Sequence, residues 1–361
     1  MTQRHHAAYM HWAKTRPPAR YDLAISNVLA CSIDDLPNAA GALALTGRND
    51  NGYDPLVQAI ASRYGVAAGQ VTTAQGASGA NFLVCAALLS AGDEVLVERP
   101  GYDPLLGAPR LLGANVARFD RRFDERYGLD PERVKRAFTP RTKLVVITSP
   151  HNPTGVVAES EALREIGRVA ASHGAYVLVD EVYLDSVRAP IEPAAHLGDT
   201  FIVTSSLTKS YGLAGLRCGW ILSSPDVAER VRRARDVVDG TGSIVAERLS
   251  VLAFEHLDTL SARARALLDR NLALVEPFLQ GRSDLEYVPP GGGTVAFPRI
   301  RGVADTRTFA SRLLTEGETA IVPGHFFEAP AHFRLGFSGD TDSLTEGLQR
   351  LAAALDAGAW E

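Results

Sequence analysis

The feature that most constrains the fold is a regular alternation between residues 71 and 222, where short apolar runs are separated by longer amphipathic stretches. Near-continuous β-branched runs predict strands that are buried on both faces, and stretches such as residues 159–174 predict covering helices. This order is typical of an α/β fold with a mostly parallel sheet. The predicted strands are EVLVE (94–98), ANVARF (114–119), KLVVIT (143–148), AYVLVD (175–180), TFIVTSS (200–206) and CGWILS (218–223).

The character of the sequence changes after about residue 225, and this change predicts a second, smaller α+β lobe. Residues 226–239 and 243–279 carry apolar side chains at three- and four-residue spacing, which predicts helices. Further along, VAFPRI (295–300), TAIVPG (319–324) and FRLGFS (333–338) are strand candidates. Two lobes also agree with the length of 361 residues, which exceeds what one hydrophobic core usually organises.

Charge and composition argue against several classes of protein. The formal net charge is -5 and no basic stripe is present, so we do not expect a nucleic-acid partner. No apolar run reaches the ~18 residues that span a membrane, and the first residues lack the apolar core of a signal peptide. The three cysteines are scattered and form neither a disulfide framework nor a metal-binding pattern. We therefore expect a cytoplasmic protein without a metal site.

A single lysine stands in the small-residue segment SSLTKSYGLAGLRCGW (205–220). Lys209 follows a predicted strand, and ligands of such sheets bind at the carboxyl ends of the strands. A desolvated amine near another cation can act as a nucleophile toward an aldehyde. Ser206 and Arg217 could bind a phosphate through a hydroxyl and a guanidinium group. An exposed lysine on a glycine-rich loop explains this local segment equally well.

Three further segments fall at the carboxyl end of a predicted strand or at the start of a predicted helix. They are SPHNPTG (149–155), LVDEVY (178–183) and QGASGA (75–80). The start of a helix offers backbone N–H groups and a favourable dipole to a phosphate. Taken one at a time, each segment has an ordinary explanation. NPTG is typical of a turn, an Asp after a strand is typical of a cap, and GASGA is a weak glycine pattern. Their combination with the lysine segment indicates one shared ligand site.

With these motifs, residues 20–355 resemble the fold-type I, class I/II aminotransferases, which use pyridoxal 5′-phosphate. The resemblance implies a large domain with a mostly parallel seven-stranded sheet covered by helices, plus a smaller α+β domain. We place the large domain at residues 45–260 and build the small one from residues 1–44 and 261–361. The resemblance also implies a homodimer with its active sites at the interface, and amino acids and 2-oxo acids as substrates.

The resemblance assigns a role to each residue of the motifs. Lys209 matches the lysine that holds the cofactor as a Schiff base and moves the substrate proton. Asp180 matches the carboxylate that pairs with the pyridine nitrogen. Asn152 and Tyr183 match the groups that hydrogen-bond the phenolic oxygen of the ring, and Asn152 also borders the substrate. Tyr102 matches the aromatic residue that stacks on the ring.

The resemblance assigns the phosphate and the substrate carboxylate as well. Ser206 and Arg217 match the side chains that bind the phosphate, and Ala77 and Ser78 match backbone N–H donors at a helix start. Arg334, in FRLGFS, matches the arginine that clamps the α-carboxylate of the substrate.

One position departs from the family pattern. Many relatives contribute a tyrosine to the phosphate of the neighbouring subunit, and here Gly47 occupies that place. Arg48, Asn49 or Tyr53 could substitute for it, and the sequence does not distinguish among them. The details of cross-subunit phosphate binding therefore stay open.

The motifs predict a ping-pong aminotransferase that moves an amino group between an L-amino acid and a 2-oxo acid through the Lys209 Schiff base. A lyase or an amino-acid cyclase is the alternative, because residues 243–256, GGGTVAFPR and VPGHFF resemble capreomycidine synthase-like members. A binding or regulatory protein without catalysis is a third possibility. A nucleotide-dependent dehydrogenase is excluded, because no strand is followed by G-x-G-x-x-G. The sequence does not identify the amino-acid substrate.

Overall fold

The structure, a computed structural model, describes residues 7–189 and 191–359. Its strands are, in chain order, β1 (Tyr21–Asp22), β2 (Val71–Gln75), β3 (Glu94–Arg99), β4 (Asn115–Asp120), β5 (Thr142–Thr148), β6 (Tyr176–Asp180), β7 (Phe201–Ser206), β8 (Cys218–Leu222), β9 (Leu285–Glu286), β10 (Val295–Ala296), β11 (Arg299–Ile300), β12 (Thr319–Ala320), β13 (Val322–Pro323) and β14 (Phe333–Gly336). Its α-helices are α1 (Ala8–Thr15), α2 (Ala39–Ala42), α3 (Asp54–Tyr64), α4 (Gly76–Leu88), α5 (Asp103–Leu111), α6 (Pro131–Ala137), α7 (Ser160–Ser172), α8 (Pro225–Val238), α9 (Ile244–Glu255), α10 (Leu257–Gln280), α11 (Arg307–Gly317) and α12 (Thr341–Asp356).

The central sheet has seven strands in the order β2-β8-β7-β6-β5-β3-β4. The strands from β7 to β4 pair in parallel, whereas β8 runs antiparallel to both of its neighbours. The predicted α/β class and the mostly parallel seven-stranded sheet are therefore confirmed. Each of the six strands predicted between residues 94 and 223 agrees with an observed strand to within one residue at either end. Of the three later candidates, FRLGFS contains β14, whereas VAFPRI and TAIVPG are each divided into two short strands.

Both faces of the sheet are covered by helices, which explains the continuous apolar runs. In β5, Val145 and Ile147 pack into the core on one face, and Leu144 and Val146 pack into the core on the other. Helices α3, α7 and α9 contribute to the first core, and α4, α5 and α8 to the second. Burying each such side chain contributes about 1.5–3 kcal/mol.

A third core holds the small lobe together and includes apolar residues of α10, α11, α12 and β14. Leu23 and Val28, from the N-terminal segment, belong to this core, whereas Leu36 packs in the core of the large lobe. The division into residues 45–260 and the two terminal segments stays a proposal, and the packing of Leu36 would move its first boundary toward residue 35. Within the described residues, no helix is both long enough and apolar enough to cross a membrane.

Candidate active site

A cavity of about 250 Å³ lies at the carboxyl ends of β5, β6 and β7. Thr148 at the end of β5 pairs in register with Asp180 at the end of β6, and Asp180 pairs with Thr204 in β7. The loops that follow these strands therefore start at the same edge of the sheet. The cavity is lined by most of the site residues predicted from the sequence, namely Ala77, Ser78, Tyr102, Asn152, Asp180, Tyr183, Ser206, Lys209 and Arg217.

Lys209 lies in the loop after β7, and its amine faces the N-terminal segment of the chain. Nζ donates hydrogen bonds to Oδ1 of Asn27 at 2.6 Å and to Oγ of Ser26 at 3.0 Å. Burial lowers the pKa of Lys209 from 10.5 to about 8. At neutral pH a larger fraction of this amine is therefore neutral than in an ordinary lysine, and the neutral amine is the state that attacks an aldehyde.

Asp180 is a buried carboxylate held by two neighbours. Asn81 Nδ2 donates to Oδ2 at 2.8 Å, and the Val182 N–H donates to Oδ1 at 3.1 Å. Thr204 Oγ1 donates to Asn81 Oδ1 at 2.6 Å, which fixes the orientation of that amide. Burial raises the pKa of Asp180, while the hydrogen bonds from Asn81 and Val182 and the charge of Lys209 oppose the rise. A cationic ligand atom at Asp180 would therefore gain a buried counter-charge.

An anion site is built where α4 begins. Ala77 and Ser78 lie in the first turn of α4, whose N–H groups have no partner within the helix. Arg217 adopts a left-handed backbone conformation that turns the chain into β8, and a side chain at Gly76 would collide with its guanidinium group. Ser206 adds a hydroxyl from the end of β7. Guanidinium, hydroxyl and helix start together suit a phosphate.

Two aromatic residues complete the cavity wall. Tyr102 precedes α5 and donates from its hydroxyl to Sδ of Met10 at 3.2 Å. The hydroxyl of Tyr183 is buried and makes no well-aligned hydrogen bond among the described residues; burial raises its pKa, and the neighbouring hydroxyls of Ser26 and Thr294 oppose the rise. Because buried hydroxyls are normally paired, this oxygen marks a place where a ligand would complete the hydrogen bonding.

Arg334 is the predicted site residue that does not line the cavity. It is fully buried in β14, where Nη1 donates to Oδ1 of Asn152 at 3.0 Å. Nη2 donates to the hydroxyl of Tyr9 at 2.7 Å and to the carbonyl of Ala24 at 3.0 Å. Its Nε–H has no partner within the described residues. The guanidinium group is therefore linked to the cavity through Asn152, which lines it.

A buried ion pair supports the loop that carries Asn152. Glu98 accepts from Nη1 of Arg121 at 2.9 Å and from the hydroxyl of Thr148 at 2.6 Å. The same hydroxyl accepts from the backbone N–H of Asn152 at 3.1 Å. Because removing one partner of a buried ion pair is costly, this arrangement resists displacement of the loop.

Sequence reasoning assigned no role to Ser26, Asn27, Asn81 or Tyr9. Tyr9 lies in α1 and Asn81 in α4, and neither belongs to a motif that indicates a site by itself. Ser26 and Asn27 are more than 180 positions away from Lys209 along the chain. From the sequence we expect only that the first 40 or so residues pack near the cleft between the lobes, and the structure adds that Ser26 and Asn27 are the residues that reach Lys209.

The fold and the site define a pyridoxal-phosphate enzyme of fold type I. The model of the family described as aminotransferase class I and II matches residues 24–351, and the chain belongs to that family. It is 31% identical to capreomycidine synthase from Streptomyces vinaceus, over 84% of this chain and 79% of the relative. It is 30% identical to an aspartate aminotransferase from Streptomyces avermitilis, over 89% and 80%. A crystal structure of a PLP-dependent aminotransferase from Streptococcus suis superposes with a TM-score of 0.91 at 27% identity, covering 98% of this chain and 97% of that one.

The residues of the cavity suit the cofactor that members of this family use. A lysine amine with a lowered pKa, a buried carboxylate and an anion site line the same cavity. Pyridoxal phosphate carries an aldehyde, a basic ring nitrogen and a phosphate, which these three groups can bind. The buried Tyr183 hydroxyl adds an unpaired partner for a further polar atom.

Proposed function

We propose that the protein transfers the amino group of an L-amino acid to a 2-oxo acid in two half-reactions, with Lys209 joined to the cofactor as a Schiff base at rest. The observation that carries this proposal is the convergence of Lys209, Asp180 and the anion site of Ser206 and Arg217 on one cavity. When bound, pyridoxal phosphate supplies an aldehyde that condenses with amines and a ring that takes up an electron pair from the substrate α-carbon.

The remaining residues bind and orient. We assign Asp180 to hold a proton on the ring nitrogen, because a buried carboxylate favours a cation beside it. Asn152 and Tyr183 would donate hydrogen bonds to the phenolic oxygen, and Tyr102 would stack on the ring. Lys209 would receive the α-proton of the substrate, since its neutral form is accessible near pH 8.

We assign Arg334 to the α-carboxylate of the substrate and predict the effect of Arg334→Lys. Lysine cannot form the two parallel hydrogen bonds of a guanidinium group, so kcat/KM for an amino acid should fall about 100-fold. The corresponding amino-acid amide, which lacks the carboxylate, should lose much less. Steady-state kinetics with both compounds measure the difference, and Arg312→Lys on the exposed side of α11 is the control. An equal loss with acid and amide would contradict the assignment.

The lowered pKa of Lys209 predicts how capture of the cofactor depends on pH. The neutral amine attacks the aldehyde, and its fraction rises about tenfold per pH unit below the pKa. The rate constant for capture of pyridoxal phosphate by the cofactor-free protein should therefore rise from pH 6 and level off near pH 8. Stopped-flow absorbance measures this profile. A rate that keeps rising toward pH 10.5 would indicate an ordinary exposed lysine.

A half-reaction screen tests the proposed function. The cofactor-loaded protein is mixed with each amino acid in turn, and the loss of the visible absorbance of the cofactor is followed. Formation of pyridoxamine phosphate and a 2-oxo acid from a single amino acid supports aminotransfer. Consumption of the amino acid with return of the original absorbance supports the second candidate, a lyase or cyclase. The similarity to capreomycidine synthase supports the lyase or cyclase as the second candidate function.

We propose a homodimer that buries an apolar surface made by residues 43–45 and 237–238. Leu45 is 88% exposed and Val237 is 87% exposed, an unusual exposure for large apolar side chains. The chain a few residues beyond each segment is in contact, because Asn49 donates to the Gly242 carbonyl at 2.8 Å. Leu45→Glu should weaken self-association at least tenfold in sedimentation experiments, while the exposed Leu111→Glu should not. An unchanged dimer in the Leu45 variant would contradict this interface.

Within such a dimer, we assign Arg48 to the phosphate of the partner subunit. Asn49 already hydrogen-bonds within its own chain, because it also donates to Glu247 at 2.9 Å. Tyr53 is covered by its own chain as well, because the guanidinium group of Arg248 lies over its ring. Arg48 is on the surface with a side chain that is 90% exposed, and it pairs at 2.9 Å with the exposed carboxylate of Asp50, which a phosphate would have to displace or share. The three cysteines form no disulfide bond. Because free cysteines are typical of a reducing compartment, we also propose a cytoplasmic location.

A further inference from the structure

The amine of Lys209 is enclosed by two oxygen acceptors from the N-terminal segment. Ser26 Oγ lies 3.0 Å from Nζ and Asn27 Oδ1 lies 2.6 Å from it. An ammonium or amine group donates and a carbonyl oxygen only accepts, so the amide oxygen of Asn27 must face the lysine. Asn27 also lines the cavity together with Lys209. The two acceptors therefore lie at the reacting amine.

The backbone of Ser26 and Asn27 is fixed on two sides. The buried hydroxyl of Thr294 donates to the Ser26 carbonyl at 2.8 Å, and the hydroxyl of Ser338 donates to the Asn27 carbonyl at 2.8 Å. On the other side, the N–H of Val28 donates to the carbonyl of Lys209 itself at 3.1 Å. The acceptors are thus held in place relative to the lysine loop.

A neutral primary amine has two N–H bonds and one lone pair, so two acceptors can bind both of its N–H groups. We propose that Ser26 and Asn27 are positioning residues that take both N–H bonds of Lys209 and leave its lone pair free to receive the α-proton of the substrate. The proton would pass from the α-carbon to the lone pair of Nζ, and the electron pair of the broken C–H bond would stay on the substrate carbon, where a bound cofactor would supply the electron sink. The inference rests on the proposed function, because it requires Lys209 to be the group that takes the proton.

Other groups also act on this amine, and a test must separate their effects. Besides its burial, the pKa of Lys209 responds to Tyr9 of α1 and Asp180 at the end of β6, which favour the charged form. Arg334 of β14 and Arg217 before β8 disfavour it. Variants at positions 26 and 27 leave all four of these side chains in place, so a change in the pKa reports the missing acceptor.

The experiment measures the pKa of Lys209 in the full chain loaded with pyridoxamine 5′-phosphate, where the lysine is free of the cofactor. Trace acetylation by acetic anhydride from pH 6 to 11 is read by mass spectrometry, with the exposed Lys14 and Lys135 as internal references. Asn27→Ala should lower the pKa, because the ammonium group loses an acceptor. Asn27→Asp should raise it, because a negative charge replaces a neutral oxygen. Asn115→Ala, an exposed residue at the start of β4, should leave it unchanged.

A kinetic measurement with the amino acid that reacts fastest in the half-reaction screen accompanies the titration. Wash-out of α-deuterium into water should slow about 10- to 100-fold in Asn27→Ala, with cofactor absorbance retained. If Asn27→Ala loses the cofactor, Ser26→Ala is measured instead. For that variant we also expect a lower Lys209 pKa and slower wash-out of deuterium. A Lys209 pKa that is unchanged in both alanine variants would overturn the proposal. If no amino acid reacts, the proposed function fails, while the titration still decides whether the acceptors act on the amine.

Discussion

Replacing Lys209 with alanine is expected to lower kcat by about 10⁴-fold, because the chain loses the group that both fixes the cofactor and moves the substrate proton. The side chain lies at the cavity and its amine hydrogen-bonds Ser26 and Asn27 of the N-terminal segment, so its loss leaves the hydrophobic cores intact and the fold should persist. Pre-steady-state kinetics with reconstituted protein measure the loss. Circular dichroism checks that the variant is folded.

Lys143→Ala is the matched control, since Lys143 lies in β5 and does not line the cavity. It should keep the wild-type rate. Turnover of the Lys209 variant within tenfold of the wild type would show that another group takes the proton, and the assignment of this lysine would be wrong.

Replacing Asp180 with asparagine should slow proton removal by about 10²- to 10³-fold, with the cofactor still bound. Asparagine keeps the size of the side chain and the acceptor for the Val182 N–H, but it removes the negative charge. The ring nitrogen would then lose its proton more easily and withdraw electrons less well. Single-turnover absorbance changes with a reactive amino acid measure the effect.

Asp269→Asn serves as the control, because Asp269 pairs with Arg188 on the surface. The absorbance of the bound cofactor should also respond to pH in the Asp180 variant at values where the wild type does not change. Equal rates in the wild type and the Asp180 variant would contradict the assignment of Asp180 as the counter-charge of the ring nitrogen.

The sequence predicted the sheet and most of the cavity because both depend on local patterns. A buried parallel strand is recognised in the sequence as a continuous apolar run. The loop that follows the strand begins at its carboxyl end, where the ligand binds. Asp180, Ser206 and Lys209 were predicted together for this reason, and the structure brings them to one cavity. Their chemical roles came from the family resemblance and stay predictions until variants are measured.

The parts that the sequence did not predict depend on contacts between distant segments. Ser26 and Asn27 reach Lys209 because the N-terminal segment is fixed between Thr294 of the small lobe and the lysine loop. No spacing rule connects positions so far apart. The sequence placed Arg334 in a strand but not its neighbours: its buried guanidinium group donates to Asn152 and Tyr9, which come from two distant segments. Packing of the lobes, which a single sequence does not reveal, decides such placements.

The attachment of the cofactor to Lys209 is tested most directly by reducing the cofactor-loaded protein with borohydride and mapping the modified lysine by mass spectrometry. The chain has four lysines, at positions 14, 135, 143 and 209, so the assignment is unambiguous. We expect one reduced cofactor per chain, attached to Lys209, with the other three lysines unmodified. Attachment to any of those three, or no attachment after loading, would contradict it.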